Sequence, residues 1–154
     1  MKSKSEKTAE FPSLSTGPHD VRLEKWISCS PFERLLGIEI LEARNGHSLL
    51  TMPFVRRLSQ GAGLVHGGAM VTLADTAVAM AVKSLVSPGS RFGTISLTSE
   101  FLAPVTQGVL TAKADVTLVD DRLLRGDCSL TDAEDREVMK FTSRFKLARD
   151  VKLL

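Results

Sequence analysis

The sequence predicts an α+β domain, an antiparallel sheet of about six strands wrapped around one long central helix, with short helices ahead of it. Three observations predict it. The second half of the chain alternates apolar and polar residues with period two, as strands with one buried face do. The run from Gly67 to Val86 is almost free of charge, as a buried helix is. Turn residues separate the alternating segments closely enough to require antiparallel pairing.

In chain order, MKSKSEKTAEFPSLSTGP (residues 1–18) lacks the apolar stretch of a secretory signal and is expected to be a disordered polar leader. Residues 19–154 are expected to form a single domain. The segment DVRLEKWISCSPFERLL, Asp20 to Leu36, suggests one or two short helices, with Pro31 opening the second. GIEILEARNGHSLLTMPF then reads as two strands joined at Asn45-Gly46, a dipeptide that supplies the positive φ angles of a tight hairpin. After the loop VRRLSQGAGLVH comes the helix from about Gly67 to Val86, closed by Ser87-Pro88-Gly89. Four strands follow, starting near Phe92. Leu110, Ala112, Ala114, Val116 and Leu118 share one parity, and Met139, Phe141, Phe145 and Leu147 alternate with Lys140, Thr142, Arg144 and Lys146.

Composition narrows the function. A net charge of +2 with no basic run argues against a nucleic-acid partner. No apolar stretch reaches the roughly 18 residues of a membrane span. Two cysteines without metal-like or redox spacing suit a reduced cytoplasm. The three histidines, His19, His47 and His66, are not spaced as metal ligands, so neither a metal nor a cofactor is expected. A G-x-S-x-G elbow and a phosphate-binding G-x-x-x-x-G-K-[ST] loop are both missing.

One carboxylate, Asp75, interrupts the helix. Burying it unpaired costs several kcal/mol, so it should face a crevice. Thr72, Asp75, Thr76, Ala79 and Lys83 form one stripe at helical spacing, opposite Met70, Leu73, Ala74, Ala77 and Ala81. At the helix start Gly67 and Gly68 expose amides that lack intrahelical partners, at the positive end of the dipole. Such an amide can stabilise the oxyanion of an acyl-transfer intermediate.

Val65-His66-Gly67-Gly68, followed by Leu73-Ala74-Asp75, resembles the hot-dog-fold acyl-CoA thioesterases of the phenylacetate-degradation (PaaI-like) group. The resemblance runs from about Pro31 to Ala148 and includes the lead-in PFERLLGIEILEA and the strand RFGTISLTSEFLAP. It implies Asp75 as the catalytic carboxylate, Gly67 as amide donor to the thioester carbonyl, and Gln60 where the family often carries Asn. It also implies that Thr94 helps to hold the water and that His66 shapes the carbonyl pocket; Gly68 at the helix start and Thr76 beside Asp75 are further candidate substrate contacts by position.

The acyl chain would meet residues such as Met70, Leu73, Leu97 and Phe101. Arg56, Arg57, Arg91, Arg122 and Arg125 are candidate cations for coenzyme A phosphates. Hot-dog dehydratases pair their carboxylate with a catalytic histidine and use other motifs. A non-catalytic acyl-CoA-binding or scaffold protein on the same fold is the alternative.

Gly67 and Asp75 are eight residues apart, a rise of about 12 Å along one helix, whereas a thioester carbonyl and its attacking water lie about 3 Å apart. Two antiparallel helices across a two-fold axis would bring each Gly67 near the partner's Asp75. A homodimer, or a dimer of dimers, with active sites at the subunit interface is therefore expected.

Overall fold

The computed structural model describes residues 15–154. Most of the expected leader thus lies outside the described residues.

A five-residue helix α1 (Pro31–Leu35) opens the fold, and its first residue, a proline, needs no amide partner there. Strands β1 (Glu39–Arg44) and β2 (His47–Pro53) form the expected hairpin. Its turn residues have positive φ, 51° at Asn45 and 77° at Gly46. A single 3₁₀ turn at Arg56–Leu58 leads toward the long helix α2 (Gly67–Lys83). Four strands follow: β3 (Phe92–Phe101), β4 (Val109–Leu118), β5 (Leu123–Thr131) and β6 (Glu137–Leu147).

All six strands form one sheet in the order β1-β2-β4-β5-β6-β3, every neighbouring pair antiparallel. The tight turns between β4, β5 and β6 make sequence neighbours into sheet neighbours. β3 behaves differently. The chain leaves β2, passes through α2 and lays β3 on the far edge beside β6, before returning to β4 next to β2.

The sheet curls around α2. Leu73, Ala74, Ala77, Val78 and Val82 of the helix are fully buried, together with Leu50, Met52, Leu110, Leu124 and Leu130 from the strands. Gly126 lets the helix come this close, since a Cβ there would lie 2.1 Å from Val78 Cγ1. On the other side of the helix, Ser48 Oγ donates to the Ala77 carbonyl at 2.6 Å. The β6 alternation places Met139, Phe141, Phe145 and Leu147 inward and Lys140, Arg144 and Lys146 in water.

Two expectations are corrected. Of the segment from Asp20 to Leu36, only Pro31–Leu35 is helical. Trp26 Nε1 donates to the Lys83 carbonyl at 3.0 Å, and Lys83 Nζ donates to the Trp26 carbonyl at 2.8 Å. These reciprocal bonds tie the segment to the end of α2 through a run of bends at residues 24–28, where a helix of so few residues would not sustain its own nucleation. The same contact ends α2 at Lys83 rather than near Val86, because the Lys83 carbonyl is taken by the indole.

Candidate active site

His66 begins the site. It is the N-cap of α2, with extended backbone and its Nδ1 accepting the Gly68 amide at 2.9 Å. Its carbonyl accepts from Ala69 and Met70 at 3.0 and 3.3 Å. A side-chain acceptor at this position satisfies one of the orphan donors of a helix start. A Cβ on Gly68 would lie 3.0 Å from His66 Nδ1, so the imidazole would have to shift to admit a side chain there. With the amides of Gly68, Ala69 and Met70 all engaged, Gly67 keeps an amide that has no partner among the described residues.

Gln60 sits on the loop before the helix. Its backbone donates to Leu64 at 2.8 Å and accepts from Gly63 at 2.9 Å. Its side-chain oxygen accepts the Ala62 amide, and its NH₂ group has no partner among the described residues. Gln60 and Gly67 line one crevice of about 370 Å³, whose other walls are Leu64, Val65, Met70 and the segment from Phe101 to Val105. Phe101 lies against the helix start, where a Cβ on Gly67 would meet its ring at 3.2 Å. Gln60 and Gly67 are thus brought together.

Asp75 and Thr94 form a second pair. Thr94 Oγ1 donates to Asp75 Oδ1 at 2.9 Å. Burial pushes the Asp75 carboxyl above the usual carboxylate range, and the Thr94 hydrogen bond opposes part of that rise by favouring the ionised form.

A β-bulge produces this contact. Thr94 pairs with Phe145 and Ser96 with Arg144, so Ile95 is one extra residue on β3. Without it, period-two alternation could not place both even-numbered Thr94 and odd-numbered Phe101 on the helix side. No residue pattern along β3 signals this bulge in advance.

The two pairs stay apart within one chain, for neither Asp75 nor Thr94 lines the Gln60–Gly67 crevice. Thr76 is 6% exposed and packs inward, away from the less buried stripe of Thr72, Asp75, Ala79 and Lys83. The helical wheel put it on the Asp75 stripe, and packing turned it to the core instead. Of the expected acyl contacts, Met70 and Phe101 line the crevice, Leu73 is fully buried, and Leu97 is exposed on β3.

Comparison with known proteins agrees with this architecture. Residues 62–139 match the family model of the thioesterase superfamily. A candidate esterase of Halobacterium salinarum is 34% identical over 126 residues, covering 75% of this chain and 83% of its own. A hypothetical thioesterase of Streptococcus pneumoniae, solved with coenzyme A, superposes with a TM-score of 0.66 at 27% identity, covering 72% of this chain and 85% of its own. The E. coli PaaI protein of the phenylacetic acid degradation operon superposes at 0.69 with 25% identity, over 76% of this chain and 83% of its own. A central helix clasped by one antiparallel sheet, an open amide at that helix's start and these matches lead to one assignment: the chain belongs to the thioesterase superfamily, as a hot-dog-fold thioester hydrolase of the PaaI-like group.

Proposed function

We propose that the protein hydrolyses an acyl-CoA thioester to the free acid and coenzyme A, with Asp75 as general base. The contact between Thr94 and Asp75 carries this proposal, because it fixes a half-buried carboxylate of raised proton affinity. Coenzyme A bound to the Streptococcus pneumoniae relative supports the choice of thiol.

In the proposed reaction, water oxygen attacks the thioester carbon as Asp75 takes its proton and Thr94 steadies the water. The carbonyl becomes an oxyanion facing the Gly67 amide and the Gln60 NH₂, donors already in place before charge develops. The tetrahedral intermediate then expels the thiolate, the carbon–sulfur bond breaks, and the proton held by Asp75 neutralises the leaving sulfur. His66 and Gly68 border the carbonyl, and neither a metal nor a cofactor takes part.

The separation of Gly67 from Asp75 requires the two halves of a site to come from different subunits, in a dimer or a dimer of dimers. Two features of β3 support that assembly. It is an edge strand ten residues long, with one side unpaired. It also keeps Ile95, Leu97 and Phe101 at 58%, 44% and 53% exposure. We place the enzyme in the cytoplasm, as one domain from residue 19, its two free thiols suiting a reducing compartment. No helix among the described residues is long and apolar enough to cross a membrane.

The test is CoA release by the native protein and by Asp75→Asn over a panel running from short aliphatic to aryl-acetyl and long-chain CoA esters. Asp75→Asn should lower kcat on the order of 10²-fold or more while still binding acyl-CoA. Turnover within a few-fold of native removes Asp75 from the role. Binding without hydrolysis by the native protein favours the non-catalytic acyl-CoA-binding alternative.

A further inference from the structure

A second crevice, of about 460 Å³, flanks the same helix start and differs in chemistry from the first. Consecutive residues take opposite sides: Gln60, Val65 and Gly67 line the first crevice, and Ser59, His66 and Gly68 the second. The first is apolar apart from its two donors. The second has an apolar floor of Phe32, Leu36, Leu58 and Ala69, with Arg57 and Thr72 among its polar residues.

A CoA thioester is divided in the same way. One side of its sulfur is the acyl group. The other is a pantetheine arm of mixed methyl and amide character ending in phosphates, which require cations. The side-chain contacts sort the candidate arginines. Arg91 pairs with Asp150 at 3.4 Å, Arg122 donates to the Leu147 carbonyl at 3.0 Å, and Arg125 pairs with Asp127 at 2.9 Å. The guanidinium groups of Arg56 and Arg57, on the 3₁₀ turn two to four residues before Gln60, have no partner among the described residues. Both are exposed.

Resting on the thioesterase function proposed above, we infer that Arg57 and Arg56 hold the phosphates of coenzyme A, that the pantetheine arm lies in the crevice between α1 and α2, and that the acyl group occupies the Gln60–Gly67 crevice. The two arginines are then substrate-binding groups that act on KM and leave the chemical step to Asp75. Their position ties phosphate binding to the loop that carries the Gln60 donor.

Calorimetry with coenzyme A, dephospho-coenzyme A and pantetheine tests this without turnover, so failure of the hydrolytic mechanism is read separately in the release assay. The Arg56→Ala/Arg57→Ala double variant should bind coenzyme A at least tenfold more weakly, with at least tenfold less penalty on pantetheine, which carries no phosphate. An equal loss on dephospho-coenzyme A assigns the arginines to the diphosphate. A loss confined to coenzyme A assigns them to the 3′-phosphate. Lys113→Ala, on the wet face of β4, serves as the control cation and should bind as native. In the release assay KM for the CoA ester should rise with little change in kcat. Unchanged coenzyme A affinity in the double variant, an equal loss on pantetheine, or a native protein that binds pantetheine as tightly as coenzyme A overturns the assignment.

Discussion

Thr94 on the edge strand β3 donates to Asp75 on the central helix at 2.9 Å, joining the two elements through a side-chain hydrogen bond. Removing that hydroxyl while keeping side-chain volume, as in Thr94→Val, strips the carboxylate of its one side-chain donor and leaves burial unopposed. The Asp75 carboxyl should then hold its proton to still higher pH. The acid limb of the pH–rate profile should move upward and kcat near neutrality should fall about tenfold. Thr94→Ser should restore both. An unmoved acid limb in Thr94→Val would separate the hydrogen bond from catalysis.

The same carboxylate makes stability depend on pH. Its folded proton affinity is raised by burial, so the folded state binds more protons than the unfolded state between the ordinary carboxylate value of about 4 and the raised one. Stability is therefore lost as pH rises through that window. Asp75→Asn removes this loss, so at pH 7.5 it should melt at a higher temperature than the native protein. At pH 4 the difference should shrink toward zero. A lower melting temperature at pH 7.5 would show that Asp75 is there to hold the fold.

Gln60 can be tested by side-chain length. Its oxygen already accepts the Ala62 amide, and an asparagine at that position makes the same two-residue contact as an Asx turn. Gln60→Asn should therefore be tolerated or improve activity, whereas Gln60→Ala should lower kcat/KM by roughly tenfold or more. Equal kcat/KM for all three proteins makes Gln60 a bystander in the loop.

Subunit mixing tests the shared site. In Gly67→Val the new side chain meets the Phe101 ring, since even a Cβ would lie 3.2 Å from Cζ, and the helix start is blocked. Combined with Asp75→Asn chains, such subunits should form mixed dimers that regain one intact site of two. Verified heterodimers without activity would show that both groups act from one chain.

Much of this protein was legible in its sequence because local rules govern it. Period-two alternation located the four late strands, Asn45-Gly46 fixed the hairpin, and an apolar run broken by one carboxylate marked the helix and the side chain proposed as its base. Those features depend on neighbours a few positions away.

Tertiary structure alone decided which groups meet and which amide stays open. Placing β3 on the sheet edge beside β6 required the whole sheet, and the extra residue Ile95 turned Thr94 toward Asp75 through a register shift that no composition announces. His66 took the Gly68 amide and left Gly67 free, while partners found far along the chain occupied Arg91 and Arg122 but not Arg57. Such outcomes follow from pairing over long sequence separations, where hydrogen-bond geometry rather than residue preference selects the partner.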